Sequence, residues 1–182
     1  GDAGPAPRGG PPPGDRPPRG AGPASPARQA GQGLVVTSPA FRPGELLPVE
    51  FTCDGAGVSP PLAWQAGPPG TLSYAVTLWH ESPDGVKSYW VVYDIPADVT
   101  QLPRGSRAIG RTGLNGKGRA EYDPMCSKGP GRKEYRFTVY ALSSRPRLRP
   151  ESATRDALLE SIAGSLLAEG TLACSYERKT GP

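Results

Sequence analysis

Histidine, cysteine and long apolar runs are scarce in this chain of 182 residues. It has a single histidine. It has no run of about 18 apolar residues, so the sequence predicts no transmembrane segment. Neither a CxxC nor an HExxH spacing is present, and zinc sites need three or four ligands. We therefore expect neither a metal site nor a cofactor. The three cysteines permit one disulfide and one free thiol, and leave the redox compartment open.

Aromatic residues are missing from residues 1–33, where more than half of the positions are Gly or Pro. Such a segment cannot bury enough apolar surface to offset the entropy lost on ordering it. Its glycines also lack the strict three-residue repeat of collagen. The sequence therefore predicts a disordered N-terminal tail over residues 1–33 and a single folded domain over residues 34–182.

The N-terminal segment also bears on where the protein is located. The chain starts at Gly1 and its only methionine is Met125, as in a processed product or a fragment. A Pro/Gly-rich N-terminus favours an exported protein, periplasmic or secreted, whose signal peptide has been removed. A trimmed cytoplasmic protein would look the same, so both locations stay open.

The net charge of +4 is too small to indicate nucleic-acid binding. About half of it comes from the tail, and no stripe of basic residues interleaved with aromatics occurs. The most basic stretch is residues 102–133, which is rich in glycine and has no sustained hydrophobic period. A connection of this length is typical of either a functional loop or a solvated one.

The strongest apolar pattern lies between Leu72 and Pro96. Aromatic and β-branched residues dominate two runs there, which predicts a pair of strands at the centre of a sheet. The connecting residues, His80 to Gly85, contain the histidine, two carboxylates and a hydroxyl. Clustered ionisable groups at the end of buried strands favour a site at this connection.

Further strands are expected at residues 34–37, 49–52, 135–142 and 171–177. A helix is predicted from a Thr154 cap to about Ala168, since five apolar residues repeat at helical spacing and Gly170 follows. Those apolar residues are Leu158, Leu159, Ile162, Leu166 and Leu167. The chain is thus predicted to be mostly β, with one substantial C-terminal helix.

Six collinear segments resemble the phosphatidylethanolamine-binding protein family, and its bacterial, Raf kinase inhibitor-like branch in particular. They are TSPAF (37–41), FTCDG (51–55), SPPLAW (59–64), YWVVYDIPADVTQLP (89–103), EYRFTVYAL (134–142) and a terminal helix opening ATR. The resemblance implies a large antiparallel sheet packed on a smaller sheet, with peripheral helices. It also implies a small pocket for anionic groups such as phosphate or a phospholipid head group.

Several pocket positions depart from the family pattern. The segment His80 to Asp84 stands where the family has Asp-Pro-Asp-x-Pro, while Tyr89 and Lys133 stand at its two histidines. Tyr122 and Cys126 match the family's Tyr-Gly-Gly-Pro-Cys turn. The resemblance therefore implies that the scaffold is kept and that the pocket lining is exchanged for cationic and phenolic groups.

These substitutions favour a non-catalytic binding module for a small anionic ligand, such as phosphate or a phospho-head group, or for a protein partner. The predicted ligand-binding residues are His80, Glu81, Asp84, Tyr89, Tyr122, Cys126, Arg132 and Lys133. One alternative is a hydrolase-like or redox enzyme in which His80 activates Cys126 or Ser82. A second alternative is a scaffold that only binds other proteins.

A disulfide between Cys53 and Cys126 is a further implication of the resemblance, because bacterial members of the family often have cysteine at both positions. It would close a loop of about seventy residues, worth about 4 kcal/mol through the unfolded state. Cys174, in the last predicted strand, is expected to be a small buried residue. Three reduced, buried thiols are the alternative.

Overall fold

The computed structural model describes residues 32–127 and 131–178. Its strands and its α-helix follow in the order β1 (Gln32–Gly33), β2 (Val36–Thr37), β3 (Leu62–Trp64), β4 (Ser73–Ser82), β5 (Gly85–Pro96), β6 (Gln101–Leu102), β7 (Arg111–Thr112), β8 (Lys133–Leu142), α1 (Arg155–Ile162) and β9 (Leu166–Tyr176). Short 3-10 turns lie at Val49–Phe51 and Pro150–Ser152.

Two sheets form the body of the domain. The larger sheet has the order β1-β9-β8-β4-β5-β7, and the smaller has the order β2-β3-β6. All pairings are antiparallel except β1 with β9. This confirms the predicted fold class, a large sheet packed on a smaller one with a C-terminal helix.

Two apolar clusters lie on opposite faces of the large sheet. One joins it to the small sheet and includes Phe41, Trp64 and Phe137. The other lies under α1 and includes Val91, Leu142 and Leu158. Because both faces are covered, the central strands are apolar on both sides, as their near-continuous apolar runs predict.

The β4–β5 hairpin is longer than predicted. Cross-strand pairs continue to His80 opposite Lys87 and to Ser82 opposite Gly85, so only Pro83 and Asp84 form the turn. Placing His80 to Gly85 in a loop was wrong, because polar side chains are tolerated where a hairpin extends beyond the core. A register shift near Leu78 adds a bulge to this hairpin.

The predicted end of the helix was also wrong. Helix α1 starts as expected, with the Thr154 hydroxyl accepting a hydrogen bond from the N–H of Ala157 at 3.2 Å, but it ends at Ile162. Leu166 and Leu167 instead open β9, where Leu166 pairs with Leu142 of β8. The long β8 strand offers backbone partners there, and sheet pairing overrides the helical spacing.

Two smaller expectations also differ from the structure. The strand predicted at 49–52 is the 3-10 turn Val49–Phe51, which follows Pro48 and is closed by a hydrogen bond from Thr52 N to Val49 O of 3.0 Å. The strand predicted at 34–37 is limited to Val36–Thr37. Within the part of the chain that the structure describes, no helix has the length and apolar character needed to cross a membrane.

Candidate functional site

A cavity of about 880 Å³ opens at one end of the large sheet. The β4–β5 hairpin, the start of β8 and the connection over residues 114–127 surround it. Four of the eight predicted ligand-binding residues line it, namely His80, Tyr89, Cys126 and Lys133. Lining residues outside the predicted set include Lys87, Lys117, Asp123, Ser127, Tyr135 and Arg155.

The imidazole of His80 is fixed by two contacts. Its Nδ1 lies 2.9 Å from the carbonyl oxygen of Glu134, and its ring stacks on Tyr135 with 4.8 Å between centroids. A carbonyl oxygen only accepts hydrogen bonds, so Nδ1 carries the proton. Nε2 is thereby left for another partner.

Two lysines lie on either side of His80. Lys87 is its direct cross-strand partner on β5, and Lys133 begins β8, two residues before Tyr135 and on the same face. In the described part of the chain, neither ammonium group is within ion-pair distance of a carboxylate. These charges are therefore available to an anion in the cavity.

Two phenols complete this wall of the cavity. Tyr89 meets Tyr135 edge to face, with 5.5 Å between ring centroids. Burial raises the pKa of the Tyr89 phenol, and burial together with the neighbouring Tyr89 raises that of Tyr135 well above its usual range. Both phenols therefore stay protonated at physiological pH and can donate hydrogen bonds.

Asp123 is a carboxylate that lines the same cavity, but its charge is partnered. Its Oδ1 lies 3.4 Å from Lys117 Nζ, and its side chain is only 15% exposed. Its backbone N–H donates to the carbonyl oxygen of Tyr89 at 2.8 Å, which ties the connection to β5. The pair is neutral overall, so it leaves the charges of the two other lysines uncompensated.

Cys126 lies at the exposed mouth of the cavity and is joined to Cys53 by a disulfide, with 5.2 Å between Cα atoms. The Cys53 sulfur is also 3.5 Å from the Tyr176 hydroxyl, which donates to Asp54 Oδ2 at 2.7 Å. Cys174 is free and buried, and burial raises the pKa of its thiol to about 12.

Neither nucleophile of the enzyme alternative is paired with His80. Cys126 has no thiol to activate while the disulfide is intact. The Ser82 hydroxyl donates to the Gly85 carbonyl at 2.8 Å and accepts from the Asp84 N–H at 3.3 Å. Among the residues described, no hydrogen bond connects this hydroxyl to the imidazole.

Two predicted site residues lie elsewhere on the hairpin. Glu81 alternates with His80 along β4, so its side chain points to the other face, where it lies 3.9 Å from Arg136. Asp84 occupies the exposed turn. Placing these two carboxylates beside the imidazole assumed a flexible loop, whereas a strand separates neighbouring side chains.

Tyr122 and Arg132 also lie outside the cavity lining. The Tyr122 hydroxyl donates to the Phe51 carbonyl at 2.6 Å, and its ring packs edge-on against Trp90, so it braces the 49–51 turn. Arg132 is exposed just before β8. Sequence analysis also missed Lys87 and Tyr135, which a two-residue hairpin turn and strand alternation would have placed beside His80 and Lys133.

Metal ligands are not clustered in residues 32–127 or 131–178, which contain no group of three or more His, Cys, Asp or Glu side chains placed to hold an ion. Arg155 lies at the far side of the cavity, and its buried Nε has no hydrogen-bond partner among the described residues. Its guanidinium lies over the Trp79 ring at 4.8 Å, with Asp156 3.9 Å away. Arg155 therefore adds a positive charge across the cavity from the two lysines beside His80.

Comparison with known proteins connects this geometry to a family. The sequence model for phosphatidylethanolamine-binding proteins matches residues 37–177. The chain belongs to that family. This confirms the resemblance inferred from the six collinear segments. A UPF0098 protein of Aquifex aeolicus is 34% identical over 152 residues, which cover 80% of this chain and 89% of that protein.

Solved structures agree with this membership in the phosphatidylethanolamine-binding protein family. A homologue from Chlamydia trachomatis has a TM-score of 0.76 and 29% identity, covering 81% of this chain and 99% of the other. YbcL of Escherichia coli, described as a new member of the mammalian family, has a TM-score of 0.73 and 28% identity, covering 80% and 99%. A Mycobacterium tuberculosis relative, 33% identical over 153 residues, carries a name that proposes a lipoprotein.

Proposed function

We propose that this family member is a non-catalytic binding protein that takes a small anionic group, such as phosphate or a phosphorylated head group, beside His80. The observation that carries the proposal is the placement of Lys87 and Lys133 on either side of the imidazole, without carboxylate partners among the described residues. An anion placed between them gains two charge-assisted contacts.

The surroundings of these lysines strengthen their attraction for an anion. The cavity is concave and partly walled by aromatic rings, which lowers the local dielectric and focuses the field of the charges. Tyr89 and Tyr135 supply neutral donors rather than negative charge, because burial raises the pKa of both phenols. The cavity volume also falls within the range of small-molecule sites.

The non-catalytic part of the proposal is supported by the two candidate nucleophiles. Cys126 is held in the disulfide and Ser82 is engaged by the hairpin turn, so neither is activated by His80. A role as a scaffold without a ligand is less favoured, since Lys133 and Tyr89 both line the cavity.

An exported location is part of the proposal. Disulfides persist in oxidising compartments such as the periplasm or the extracellular space. The name of the Mycobacterium tuberculosis relative is in keeping with export.

The test compares two adjacent cationic residues. The midpoint of thermal unfolding is measured with and without phosphate and phosphoethanolamine, for the wild type, Lys133→Ala and Arg132→Ala. A ligand at one hundred times its Kd stabilises the fold by about 2.7 kcal/mol. We expect a rise for the wild type and for Arg132→Ala, which lies outside the cavity lining, and little or no rise for Lys133→Ala. No rise with the wild type, or equal rises in both variants, would overturn the proposal.

A further inference from the structure

A second cationic feature lies beside helix α1, away from the His80 cavity. Within the segment between β8 and the 3-10 turn at 150–152, Arg145, Arg147 and Arg149 are exposed while Pro146 and Leu148 are half-buried. An extended chain produces this alternation, because successive side chains point to opposite sides. The three arginines, called here the arginine ridge, therefore share one outward side.

The backbone of the arginine ridge is held in place. The residues before Pro146 and Pro150 are restricted to extended conformations, and Arg149 has φ −87° and ψ 132°. The N–H of Arg147 donates to the Ser161 hydroxyl of α1 at 3.1 Å. The three side chains therefore stand on a constrained support, which lowers the entropy lost when a partner binds.

The positive charge of the ridge is largely uncompensated. Within the described residues, Arg145 and Arg147 have no ion pair, and Arg149 has only a 4.0 Å contact with Glu151 in which both side chains are more than 70% exposed. Exposed pairs of this kind contribute little energy.

A groove of about 830 Å³ runs between the ridge and α1. Its polar lining consists of the three arginines of the ridge, one carboxylate, Glu160, and serine hydroxyls that can donate or accept hydrogen bonds. Those serines are Ser144, Ser152, Ser161 and Ser165. The groove therefore offers hydrogen bonds next to the row of positive charges.

We propose that the arginine ridge and this groove form a docking surface for an extended acidic polypeptide segment with Asp or Glu at every second position. In an extended chain, side chains two residues apart repeat at about 6–7 Å, so alternating carboxylates of an extended partner have the same backbone interval as the three arginines. Each guanidinium can then bind a carboxylate through two hydrogen bonds. A single-stranded nucleic acid fits less well, because no aromatic side chain lines the groove for base stacking.

The test uses two labelled peptides of equal composition, one with Glu and Ser alternating and one with the same residues in two separate blocks. Fluorescence anisotropy measures binding to the full chain. We expect the alternating peptide to bind several-fold more tightly than the peptide in which Glu and Ser form two separate blocks. The triple variant Arg145→Gln/Arg147→Gln/Arg149→Gln should bind the alternating peptide about tenfold or more weakly than the wild type, since each interfacial charge pair contributes to affinity.

A matched triple variant, Arg42→Gln/Arg107→Gln/Arg119→Gln, removes the same charge from exposed positions elsewhere. It should keep the preference for the alternating peptide and most of the affinity. Equal affinity for the two peptides, or an equal loss in both triple variants, would mean that net charge alone attracts the peptide and would overturn the proposal. Tighter binding of a single-stranded oligonucleotide than of the alternating peptide would overturn it as well. Failure here does not affect the His80 cavity, whose test uses Lys133.

Discussion

The two ends of the large sheet are built from the same strands and differ in chemistry. At one end, β4 and β8 carry fully buried residues such as Ala75, Val76 and Leu142. At the other end, the same two strands and the paired end of β5 carry the imidazole, the two lysines and the phenols of the cavity. The covered end stabilises the fold, and the extension beyond the core is free to hold charged groups. Substitutions at the covered end should therefore change stability, and substitutions at the cavity end should change anion binding.

Removal of the disulfide should have the largest effect at the cavity end. The disulfide joins two cysteines that are 73 residues apart in the sequence. The Cys53→Ser/Cys126→Ser double variant opens this loop and should lose about 4 kcal/mol of unfolding free energy. Urea denaturation of the wild type with and without a dithiol reductant, and of the double variant, checks this. A double variant as stable as the oxidised protein, or one that reductant still destabilises to the same extent, would contradict it.

Truncation at the covered end should lower stability without affecting anion binding. Leu142 is fully buried in the cluster under α1, so Leu142→Ala should cost about 3 kcal/mol through lost burial and a cavity. The midpoint of thermal unfolding of Leu142→Ala should still rise with phosphate as much as that of the wild type. The comparison between the two ends fails if Leu142→Ala loses the phosphate response while Lys133→Ala keeps it.

Alkaline pH should destabilise the fold through titratable groups at the cavity end of the large sheet. The pKa of the Cys174 thiol rises from its ordinary 9.0 to about 12 on folding, because burial disfavours the thiolate. The contribution of the Cys174 thiol to the unfolding free energy is therefore complete below pH 9. It is lost as the pH rises towards 12, at about 1.4 kcal/mol per pH unit. Tyr89, Tyr135 and Tyr176, whose pKa values are also raised, add to the loss above pH 10.

The control for this pH effect is Cys174→Ala. Its unfolding free energy, measured by urea denaturation at several pH values, should be flatter than that of the wild type between pH 9 and 10. Parallel curves for the two proteins over that interval would show that the thiol contributes nothing to the loss.

The family and the fold could be predicted because the evidence for them lies in local patterns. The alternating β-branched and aromatic residues of β5 and β8 and the Thr154 cap each mark an element without tertiary information. The end of α1 could not be predicted in this way, because Leu166 and Leu167 suit a helix and a strand equally well. The partner strand β8 decides between them.

The candidate site could be predicted only in part, because it depends on register. His80, Tyr89 and Lys133 were found from their positions in the family pattern, and they line one cavity. Lys87 became visible only when the pairing of the hairpin placed it opposite His80. Glu81 is adjacent to His80 in sequence but lies on the other face of the strand, so closeness along the chain was misleading.

A crystal structure of the protein grown with phosphate would test the central claim most directly. The claim predicts an anion beside the His80 imidazole and within about 3 Å of both Lys87 Nζ and Lys133 Nζ, the distance of charge-assisted hydrogen bonds. Phosphate bound elsewhere, with the space between the two lysines holding only water, would contradict it.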